Sequence, residues 1–530
     1  MMQEIKNMIE KIENEENLQT TENGAVGYTS TGKDLVDLNF QVPSMRVELT
    51  DGVIEKFTNA LHSNLIDTVK WMFFLRDVRE GVGERNSFVK LYSIFNREFP
   101  AEAQALIPVV ADYGRWKDVV DIAFSEPVSN SLKTRCFAVL ESRLISDAAG
   151  CMVGDSISLL AKWMPSINAS KKARSRALEF IKYTGMTNTE YRKMLSKLRA
   201  HLDVTERKTC SGKWGEIDYN KVSSNANLRY ANAFIRHDGD RRREYLQSLL
   251  SDDKPANVKM NAGDLYPHEI WHKYHTYNSW SFNPREYDAS LEAMWQNLKD
   301  MGSAGNTMCV CDGSGSMESS IPGSGVWAID VSRALSVYFA ERCNGEFKNR
   351  FIEFSNKPSF IDINGCQTLH EKISVVNKYN SCQNTNIEKV FDLILRTAVE
   401  EKMTQADLPE RILIVSDMEF DSGVDFIREG RNGHYERVRD DEFKQTLFGG
   451  IKERYEAAGF KMPRLVFWNV NSRTNTIPIT ENELGVTLIS GYSVNLLKLV
   501  LSNSTDPWTV LKEIIDSERY AKIGEILSLA

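Results

Sequence analysis

The sequence lacks any long apolar run. A membrane-spanning helix needs about 18 or more consecutive apolar residues, and the 530-residue sequence contains no such run. The opening segment MMQEIKNMIEKIEN has the pattern of a charged amphipathic helix and lacks the apolar core of a signal peptide. We therefore expect a protein with no membrane partner and no signal peptide.

Cysteine is scarce and scattered. No two of the eight cysteines are spaced as a Cys-x-x-Cys pair, so the sequence contains no zinc or dithiol motif of that type. Cys309 and Cys311 fall on one face of a predicted buried strand, where we expect them to act as small apolar residues. Thiols used in this way are typical of a reducing compartment, and we expect a cytoplasmic protein.

Two common catalytic loops are absent around residues 312–316, which read Asp-Gly-Ser-Gly-Ser. A phosphate-binding loop requires a lysine after its last glycine, and none follows Gly315. A serine-hydrolase elbow requires glycines two residues before and two residues after the serine, and neither Ser314 nor Ser316 has both. This segment therefore needs a different explanation.

Charge is unevenly distributed along the chain. The whole sequence has a formal charge of −8, but residues 160–250 contain 19 Lys and Arg against nine Asp and Glu, a net charge of +10. The remaining residues therefore carry a net charge of −18. Such asymmetry indicates a basic surface that could meet nucleic acid. A solvated helical face without a ligand would have the same composition.

Residues 46–300 show helical periodicity with short breaks and no strand-like runs. The apolar helix 65–76 ends at a glycine-containing segment, 79–85, and the period resumes at 86–95. Further helices are predicted at 115–123, 129–147, 155–163, 169–184, 188–201 and 225–236. Stacked helix pairs predict an α-helical repeat domain, a HEAT-like solenoid, although no strict repeat can be extracted. Residues 1–45 precede it as a short helix, 1–18, and a polar loop, 19–33.

Strand and helix patterns alternate from residue 305 to 530. Strands are predicted at 307–311, 350–354, 358–362, 411–416, 464–469 and 486–490. Helices are predicted at 327–343, 368–377, 386–402, 441–458, 492–501 and 506–518. This alternation predicts a doubly wound, mostly parallel sheet with helices on both faces, a Rossmann-like α/β domain. The polar segment 418–440 would follow one strand end, either as a gate over a site or as a plain surface loop.

Asp312, Ser314 and Ser316 place one carboxylate and two hydroxyls at alternate positions where a predicted buried strand ends. Hard divalent cations take oxygen ligands. One carboxylate is too few for a tight calcium cage, so the set predicts Mg²⁺, with Mn²⁺ or Ca²⁺ as substitutes. Such a site would leave a position open for an acidic ligand from a partner.

Two further oxygen ligands are candidates downstream. Asp417 follows the predicted strand 411–416, and Thr385 comes just before the predicted helix 386–402. Ligand sites of open α/β sheets lie outside the carboxyl ends of the strands, where all five side chains would converge. The competing interpretations are a plain glycine-rich turn and a phosphatase-type Asp nucleophile. The latter generally has a second carboxylate two residues on, where this chain has Ser314.

The ordered set of Asp-x-Ser-x-Ser, a loop Thr and a strand-end Asp resembles the metal-ion-dependent adhesion site of von Willebrand factor A domains. All five ligand positions match. The resemblance implies a von Willebrand A fold for residues 305–530 and assigns the metal ligands as Asp312, Ser314, Ser316, Thr385 and Asp417.

Other stretches carry a broader resemblance. Residues 21–40 with 73–85, and 191–208 with 214–224, look like a widespread uncharacterised family known only as a domain of unknown function. Its layout is a helical first half and a von Willebrand A-like second half. That layout is more distantly similar to the Ro and TROVE proteins, in which a ring of helical repeats closed by an A domain binds small structured RNAs and RNA ends. By fold analogy, the resemblance implies an RNA-binding, ribonucleoprotein role.

The basic stretch supports this analogy from its own composition. Its cations could neutralise phosphates, and aromatic residues among them could stack on unpaired bases, although each aromatic is more commonly a core residue. The candidate RNA-binding cations are Lys171, Lys172, Arg174, Arg176, Arg192, Lys193, Lys197, Arg199, Arg207, Lys208, Lys213, Arg241, Arg242 and Arg243. The candidate stacking aromatics are Trp163, Tyr183, Trp214, Tyr219 and Tyr230.

The sequence therefore predicts a non-enzymatic RNA-binding protein. Its helical half would bind small structured or single-stranded RNA, and its A-like half would bind Mg²⁺ and an acidic ligand of a protein partner. The alternative is a metal-dependent protein-interaction scaffold without RNA. A third hypothesis is a metal-dependent phosphohydrolase or nuclease, whose two-metal chemistry would need further carboxylates such as Glu419 and Asp421.

Overall fold

The computed structural model divides the chain into two compact units, each built from two stretches. The α/β unit comprises Met1–Glu48 and Leu265–Ile514, and the helical unit comprises Leu49–Asp264 and Ile515–Ala530. The described residues are 18–20, 26–46, 48–274, 286–321, 325–355, 357–379, 387–418, 427–429, 435–437, 451–471, 486–502, 504 and 506–530.

Helices form nearly all of the regular structure in the helical unit and flank the sheet of the α/β unit. In chain order they are α1 (Asp34–Phe40), α2 (Asp51–Ser63), α3 (Leu65–Arg76), α4 (Asn86–Glu98), α5 (Pro100–Leu106), α6 (Val110–Tyr113), α7 (Trp116–Ala123), α8 (Asn130–Val153), α9 (Leu160–Trp163), α10 (Lys171–Thr184), α11 (Asn188–Leu202), α12 (Thr205–Cys210), α13 (Ser224–His237), α14 (Gly239–Leu250), α15 (Pro267–Tyr274), α16 (Ala289–Gln296), α17 (Ala328–Ala340), α18 (Leu369–Val376), α19 (Ile387–Glu400), α20 (Leu497–Leu501), α21 (Pro507–Ile515) and α22 (Glu518–Leu529). Residues 451–457 are also helical.

The strands are short and lie in the α/β unit. In chain order they are β1 (Leu18–Thr20), β2 (Val26–Tyr28), β3 (Thr307–Asp312), β4 (Ser320–Ile321), β5 (Val326–Trp327), β6 (Arg350–Phe354), β7 (Ser359–Asp362), β8 (Arg411–Ser416), β9 (Ile427–Glu429), β10 (Tyr435–Arg437), β11 (Arg464–Asn469) and β12 (Val486–Ser490).

A six-stranded mixed sheet lies at the centre of the α/β unit, in the order β12-β11-β8-β3-β6-β7. Only β7 runs antiparallel to its neighbour within this sheet. Numbered along the chain, the six strands read 3-2-1-4-5-6 from one edge, the order of a doubly wound sheet that has a topological switch point. The switch point lies between β3 and β8. The predicted class, a mostly helical first part followed by a mainly parallel sheet with helices, is confirmed.

Both faces of the central strands are covered. Every residue of β3 and β8 is buried, and successive side chains of a strand point to opposite faces. Met308 and Val310 join the core that contains residues of α19 and of the 451–457 helix. Cys309 and Cys311 alternate with them, and the Cys311 Sγ lies 3.3 Å from the hydroxyl of Ser332 on α17. Burial on two faces explains why these strands read as continuous apolar runs.

Helix α1 belongs to the α/β unit because it packs against the carboxyl end of the sheet. The Asn469 side-chain amide at the end of β11 donates to the Phe40 carbonyl at 3.0 Å. The Ser490 hydroxyl at the end of β12 donates to the Asn39 carbonyl. The expected boundaries, 1–45, 46–300 and 305–530, differ from the observed division because α1, α15 and α16 lie in the α/β unit and α22 lies in the helical unit.

The segment before α1 contains more structure than the predicted polar loop, 19–33. β1 and β2 pair in antiparallel fashion, with Leu18 opposite Tyr28 and Thr20 opposite Val26. The loop prediction was therefore wrong for these two strands. The predicted helix 1–18 lies outside the described residues, except for Leu18 in β1.

Neighbouring helices of the helical unit pack in sequence order. Helices α2 to α5 contact one another in succession, α8 contacts α5, α7, α10 and α11, and the C-terminal helix α22 returns to α3 and α5. Arg519 on α22 stabilises this contact through a bidentate ion pair with Asp77, with N···O distances of 2.8 and 3.1 Å. The ring of Tyr520 stacks on the ring of Tyr113, with 5.7 Å between the ring centres.

Helix α8 extends beyond its predicted end, and the next helix is shorter than predicted. Helix α8 continues to Val153, where Gly154 at φ 84° forms a left-handed cap. The following loop is held by Asp147, whose carboxylate accepts from the Ser158 amide at 3.0 Å and the Ser158 hydroxyl at 2.5 Å. Because this loop occupies residues 154–159, the predicted helix 155–163 is reduced to α9.

Candidate metal centre and candidate nucleic-acid interface

The candidate metal centre lies where β3 and β8 end. Ladder pairing joins Cys311 to Val415, so the next residues along each strand, Asp312 and Ser416, are level with each other. Both strands run parallel and end at the same edge of the sheet, beside the switch point where ligands of doubly wound sheets bind.

The Asp312 carboxylate is buried and held by two hydrogen bonds. Its Oδ1 accepts from the Ser314 amide at 2.9 Å, and its Oδ2 accepts from the Ser416 hydroxyl at 2.5 Å. Each oxygen therefore has a defined direction, because an Asp-to-amide bond two residues on forms a local turn and the Ser416 bond crosses to the neighbouring strand. This arrangement orients a carboxylate at the strand end before any ligand is present.

The hydroxyls of Ser314 and Ser316 lie side by side, with 2.9 Å between the two oxygens. In an octahedral Mg²⁺ site with ligands near 2.1 Å, neighbouring ligand oxygens are about 2.9 Å apart. The pair is therefore spaced like one edge of such an octahedron. The donor types and this spacing fit a divalent cation that prefers oxygen ligands.

The two glycines of the loop are not required by the backbone of the turn. Neither Gly313 nor Gly315 adopts a left-handed backbone, and a Cβ at either position would meet no described atom within 4 Å. The described structure therefore gives neither a conformational nor a steric reason for glycine at these positions.

Asp417 is buried directly after β8 and is followed by a strained residue. Met418 has φ 64° and a buried side chain in the core, a left-handed conformation that costs a non-glycine residue about 1–2 kcal/mol. The Met418 amide donates to the Ser416 hydroxyl at 3.0 Å, which helps to hold this conformation. Strain of this kind occurs preferentially at functional sites.

Ser416 was not among the predicted site residues, although it connects both strand ends. Its hydroxyl donates to Asp312 and accepts from Met418. The pairing register between β3 and β8 reveals this role, and the register is not readable from the sequence alone.

Of the five predicted ligands, the structure brings Asp312, Ser314 and Ser316 into direct hydrogen-bonded contact, and it places Asp417 at the same sheet edge. Thr385 lies outside the described residues, as do Glu419, Asp421 and most of segment 418–440. No cluster of three or more His, Cys, Asp or Glu occurs among the residues that the structure describes. A metal here would depend on hydroxyl oxygens as well as carboxylates.

The nearby cysteines are buried within β3. Burial raises the pKa of Cys311 to about 11, and burial also raises the pKa of Cys309 well above its usual value. Both are therefore uncharged thiols in the core of the α/β unit, which is compatible with the expected role as small apolar residues. The seven cysteines that the structure describes are all free.

A buried polar cluster lies on α15 and α17 in the same unit. His272 Nδ1 lies 2.8 Å from a carboxylate oxygen of buried Asp330. His268 is buried, its ring stacks on Tyr266 at 5.5 Å and meets Tyr492 edge-on at 5.3 Å. Burial lowers the pKa of His268 to about 3, and the Asp330 charge only partly opposes this effect. His268 is therefore neutral at physiological pH.

The candidate nucleic-acid interface is centred on α10 and α11 of the helical unit. Residues 171–202 contain nine Lys and Arg and two Glu. Buried Ala177, Phe180 and Tyr191 hold these helices to the core. Six of the predicted RNA-binding cations are exposed and have no ion pair within the described part of the chain. They are Lys171, Lys172, Arg174, Arg192, Lys193 and Lys197.

Other predicted RNA-binding cations have structural roles instead. Arg242 is fully buried, and its guanidinium lies about 5 Å from the ring centres of Tyr219, Phe234 and Tyr245. Arg199 donates at 2.8 Å to the carbonyls of Ala161 and Met164 and to the Ser166 hydroxyl. Arg242 packs in the interior, and the half-buried Arg199 uses its guanidinium for hydrogen bonds within the helical unit, so their assignment to an RNA surface is corrected.

The remaining predicted cations already have partners on the surface. Lys208, Lys213, Arg241 and Arg243 form ion pairs with Asp203, Glu216, Asp238 and Asp240. Arg207 donates to the Ala200 carbonyl at 3.1 Å, and Arg176 lies 4.9 Å from the ring centre of Phe124. In the four ion pairs, the acidic partner neutralises part of the charge that a phosphate would meet.

Most of the candidate stacking aromatics are core residues, in agreement with the alternative interpretation. Tyr219 is buried, Trp214 stacks on His237 at 4.5 Å, and Tyr230 packs on Phe234. Tyr183 is partly exposed but lies against Phe137. Trp163 is half-buried and lines a cleft.

Comparisons with known proteins match both regions to uncharacterised families. Residues 306–520 match a domain of unknown function (DUF7788), and residues 168–306 match another domain of unknown function (DUF2828). The chain is also similar to the uncharacterized protein L728 of Acanthamoeba polyphaga mimivirus, with 27% identity over 533 residues. That alignment covers 94% of this chain and 87% of the viral protein.

These matches confirm the predicted relationship to domains of unknown function. The first match begins one residue before β3 and contains the described candidate metal ligands. The second match contains α10 and α11 with all six exposed cations. No described helix is both long and apolar enough to cross a membrane.

Proposed function

We propose that this chain is a non-enzymatic RNA-binding protein. The helical unit binds small structured or single-stranded RNA through α10 and α11, and the α/β unit binds Mg²⁺ and an acidic ligand. The Ro-like analogy supports this proposal at the level of layout, and the doubly wound strand order with donors at the switch point supports the A-domain resemblance.

The observation that carries the RNA proposal is the set of exposed cations on α10 and α11 that have no ion pair among the described residues. A chain with a net charge of −8 presents six such cations within 27 residues, from Lys171 to Lys197. Phosphate backbones attract such clusters regardless of sequence, because each neutralised phosphate releases counterions. Such a cluster also creates a local positive potential that attracts a polyanion despite the net negative charge of the chain.

Fluorescence anisotropy with labelled RNA tests the proposal. We expect binding at low salt, with log affinity falling linearly as log salt increases, by about 0.7 for each phosphate contacted in a single strand. Absence of binding at low salt would reject the proposal. Mg²⁺-dependent shortening of the RNA during the assay would instead support the nuclease hypothesis.

A metal-dependent protein-interaction scaffold is the second candidate. The 2.9 Å spacing between the Ser314 and Ser316 hydroxyls, beside the oriented Asp312 carboxylate, favours it. Asp312, Ser314, Ser316 and Asp417 would hold Mg²⁺, and Thr385 is the remaining predicted ligand. When bound, the cation would supply a Lewis-acid position that accepts a carboxylate from a partner.

An immobilised peptide rich in Asp and Glu tests this second function. Retention of the chain should require Mg²⁺, disappear with EDTA, and disappear in Asp312→Ala. The triple change Lys171→Ala, Lys172→Ala and Arg174→Ala should leave retention unchanged. Retention that survives both EDTA and Asp312→Ala would reject the scaffold function without affecting the RNA proposal.

A further inference from the structure

A cleft of about 230 Å³ lies in the helical unit between α7, the segment after α9 and the first turns of α10. Its apolar side is formed by Val120, Trp163 and Pro165. Its cationic side is formed by Lys117, Lys172 and Arg176. The cleft therefore combines a flat apolar surface with positive charge over a short distance.

The charges of the cleft are not balanced from within. Asp121 is the one carboxylate that lines it, and Lys117 pairs with Asp121 at 2.5 Å. Lys172 is exposed and has no ion pair among the described residues. Arg176 donates to the Phe124 carbonyl at 3.5 Å and lies 4.9 Å from the Phe124 ring centre, and neither contact neutralises its charge. Two cations of the lining are therefore available to an anion.

The surroundings add to the positive potential. Arg115 and Lys162 lie 5.4 and 5.7 Å from the ring centre of Trp163, within cation–π distance, and Lys162 also pairs with Glu206 at 2.8 Å. Lys171 and Lys172 occupy the first turn of α10, where no acidic residue is present. Cations at a helix N-terminus are disfavoured by the helix dipole, and an anion bound nearby would relieve that repulsion.

These features match one nucleotide of a single strand. An aromatic base can lie against Trp163, Val120 and Pro165, since bases stack on aromatic side chains irrespective of their identity. The adjoining phosphate would then face Lys172 and Arg176. A paired base is not available for such contact, because its faces are covered within the helical stack.

We propose that this cleft binds one unpaired nucleotide of single-stranded RNA, with the base against Trp163 and the phosphate against Lys172 and Arg176. The inference rests on the proposed RNA-binding function. It adds a location and a requirement for an unpaired base, whereas the exposed cations of α10 and α11 alone would bind single and double strands alike.

The test compares a labelled single-stranded RNA with the same strand in a duplex, by fluorescence anisotropy over a salt series. Trp163→Leu should weaken single-strand binding about 5- to 150-fold, the range for loss of one stacked base, and should leave duplex binding unchanged. Trp214→Leu is the matched control, because Trp214 is half-buried but covered by His237. Circular dichroism of each variant confirms that it is folded.

Lys172→Ala provides a second variant, on an exposed residue whose loss does not disturb the core. It should reduce the salt slope of single-strand binding by about 0.7, the value for one phosphate contact. Lys182→Ala, on the same helix and outside the cleft, should have a smaller effect. Photo-crosslinking with 4-thiouridine RNA should label peptides within 116–124 or 160–176.

The outcomes separate the two proposals. Wild-type protein that binds no RNA would reject the proposed function and the cleft together. Wild-type protein that binds RNA, with crosslinks elsewhere and affinity unchanged in Trp163→Leu and Lys172→Ala, would overturn the cleft alone. Equal losses for single strand and duplex in Trp163→Leu would also overturn it.

Discussion

The sheet edge of the α/β unit and the basic helices of the helical unit use polar residues in different ways. At the sheet edge, strand register brings Asp312 and Ser416 into hydrogen-bond contact although they are 104 residues apart. On α11, nearby residues of the same charge have different roles: Lys197 is exposed, whereas Arg199 donates hydrogen bonds to three acceptors in the helical unit.

This difference shows that strand position predicts a polar role better than helix composition does. A polar residue that directly follows a buried parallel strand lies at the carboxyl edge of the sheet. A cation on an amphipathic helix can extend to solvent or fold back on the core, because its long side chain reaches either. Each prediction below contrasts a residue, or a set of residues, with a matched control of the same charge type in different surroundings.

The largest effect on stability is expected from the replacement of a fully buried cation. Arg76 and Asp118 form an ion pair at 2.6 Å with both side chains fully buried. Arg76→Met should destabilise the helical unit by about 3–5 kcal/mol, because it leaves a buried carboxylate without its partner. Arg97→Met is the control, since Arg97 is 61% exposed and pairs with Glu98, and should cost less than about 1 kcal/mol. Urea unfolding measures both, and similar losses would contradict the contrast.

The next effect concerns the metal site. Asp312→Asn should abolish Mg²⁺ binding measured by calorimetry, because it removes the charge of the oriented carboxylate. Ser416→Ala should weaken binding about 10- to 100-fold, the usual effect of losing a group that orients a ligand. Asp362→Asn is the matched control: it ends β7, which runs antiparallel, and pairs with Arg350. Equal affinity in Asp312→Asn and the wild type would reject the site.

A third prediction concerns the buried histidine of the α/β unit. In the folded protein His268 has a pKa of about 3, below the ordinary value near 6.5 that applies to the unfolded chain. Between pH 6.5 and pH 3 the imidazole is therefore protonated in the unfolded chain but neutral in the folded protein. The free energy of unfolding consequently falls by about 1.4 kcal/mol for each pH unit as the pH decreases through this range, and this contribution is fully present above about pH 6.5.

Unfolding at pH 6.5 and at pH 5 measures this slope, with an expected loss of about 2 kcal/mol from His268. His268→Gln should flatten the pH dependence, and His62→Gln, at an exposed histidine of the helical unit, should leave it unchanged. A slope that persists in His268→Gln would assign the effect to other groups.

The smallest effect is expected from surface cations. The triple change Lys171→Ala, Lys172→Ala and Arg174→Ala should lower the salt slope of single-stranded RNA binding by about 2, or about 0.7 for each contact. The matched triple Lys213→Ala, Lys221→Ala and Arg243→Ala removes cations that have acidic partners and should change the slope little. Equal changes would show that composition alone, and not exposure, determines the interface.

Much of the α/β unit could be predicted from the sequence because its strands are apolar runs of strand length. All six strands of the central sheet were predicted within one residue at each end. The antiparallel direction of β7 and the hydrogen bond from Ser416 to Asp312 were not predictable. Both depend on how strands are ordered and registered, and residues far apart in the chain decide that order.

The helical unit was less predictable in its details. Periodicity located most of its helices, but it missed the extension of α8 to Val153, which ends at a left-handed Gly154. Likewise, the charge of residues 160–250 was evident, but the burial of Arg242 among three aromatic rings was not. Burial of a cation depends on rings supplied from other segments, which no local pattern encodes.

The sequence by itself determined the order of strands and helices, the oxygen-rich character of the 312–316 turn and the excess of positive charge in residues 160–250. These properties are local, since apolar periodicity and side-chain chemistry reside in neighbouring residues. Only the tertiary structure decided which strand ends meet at the switch point and which cations face solvent. Those outcomes depend on packing between distant segments, where burial and hydrogen bonding select one partner for each polar group.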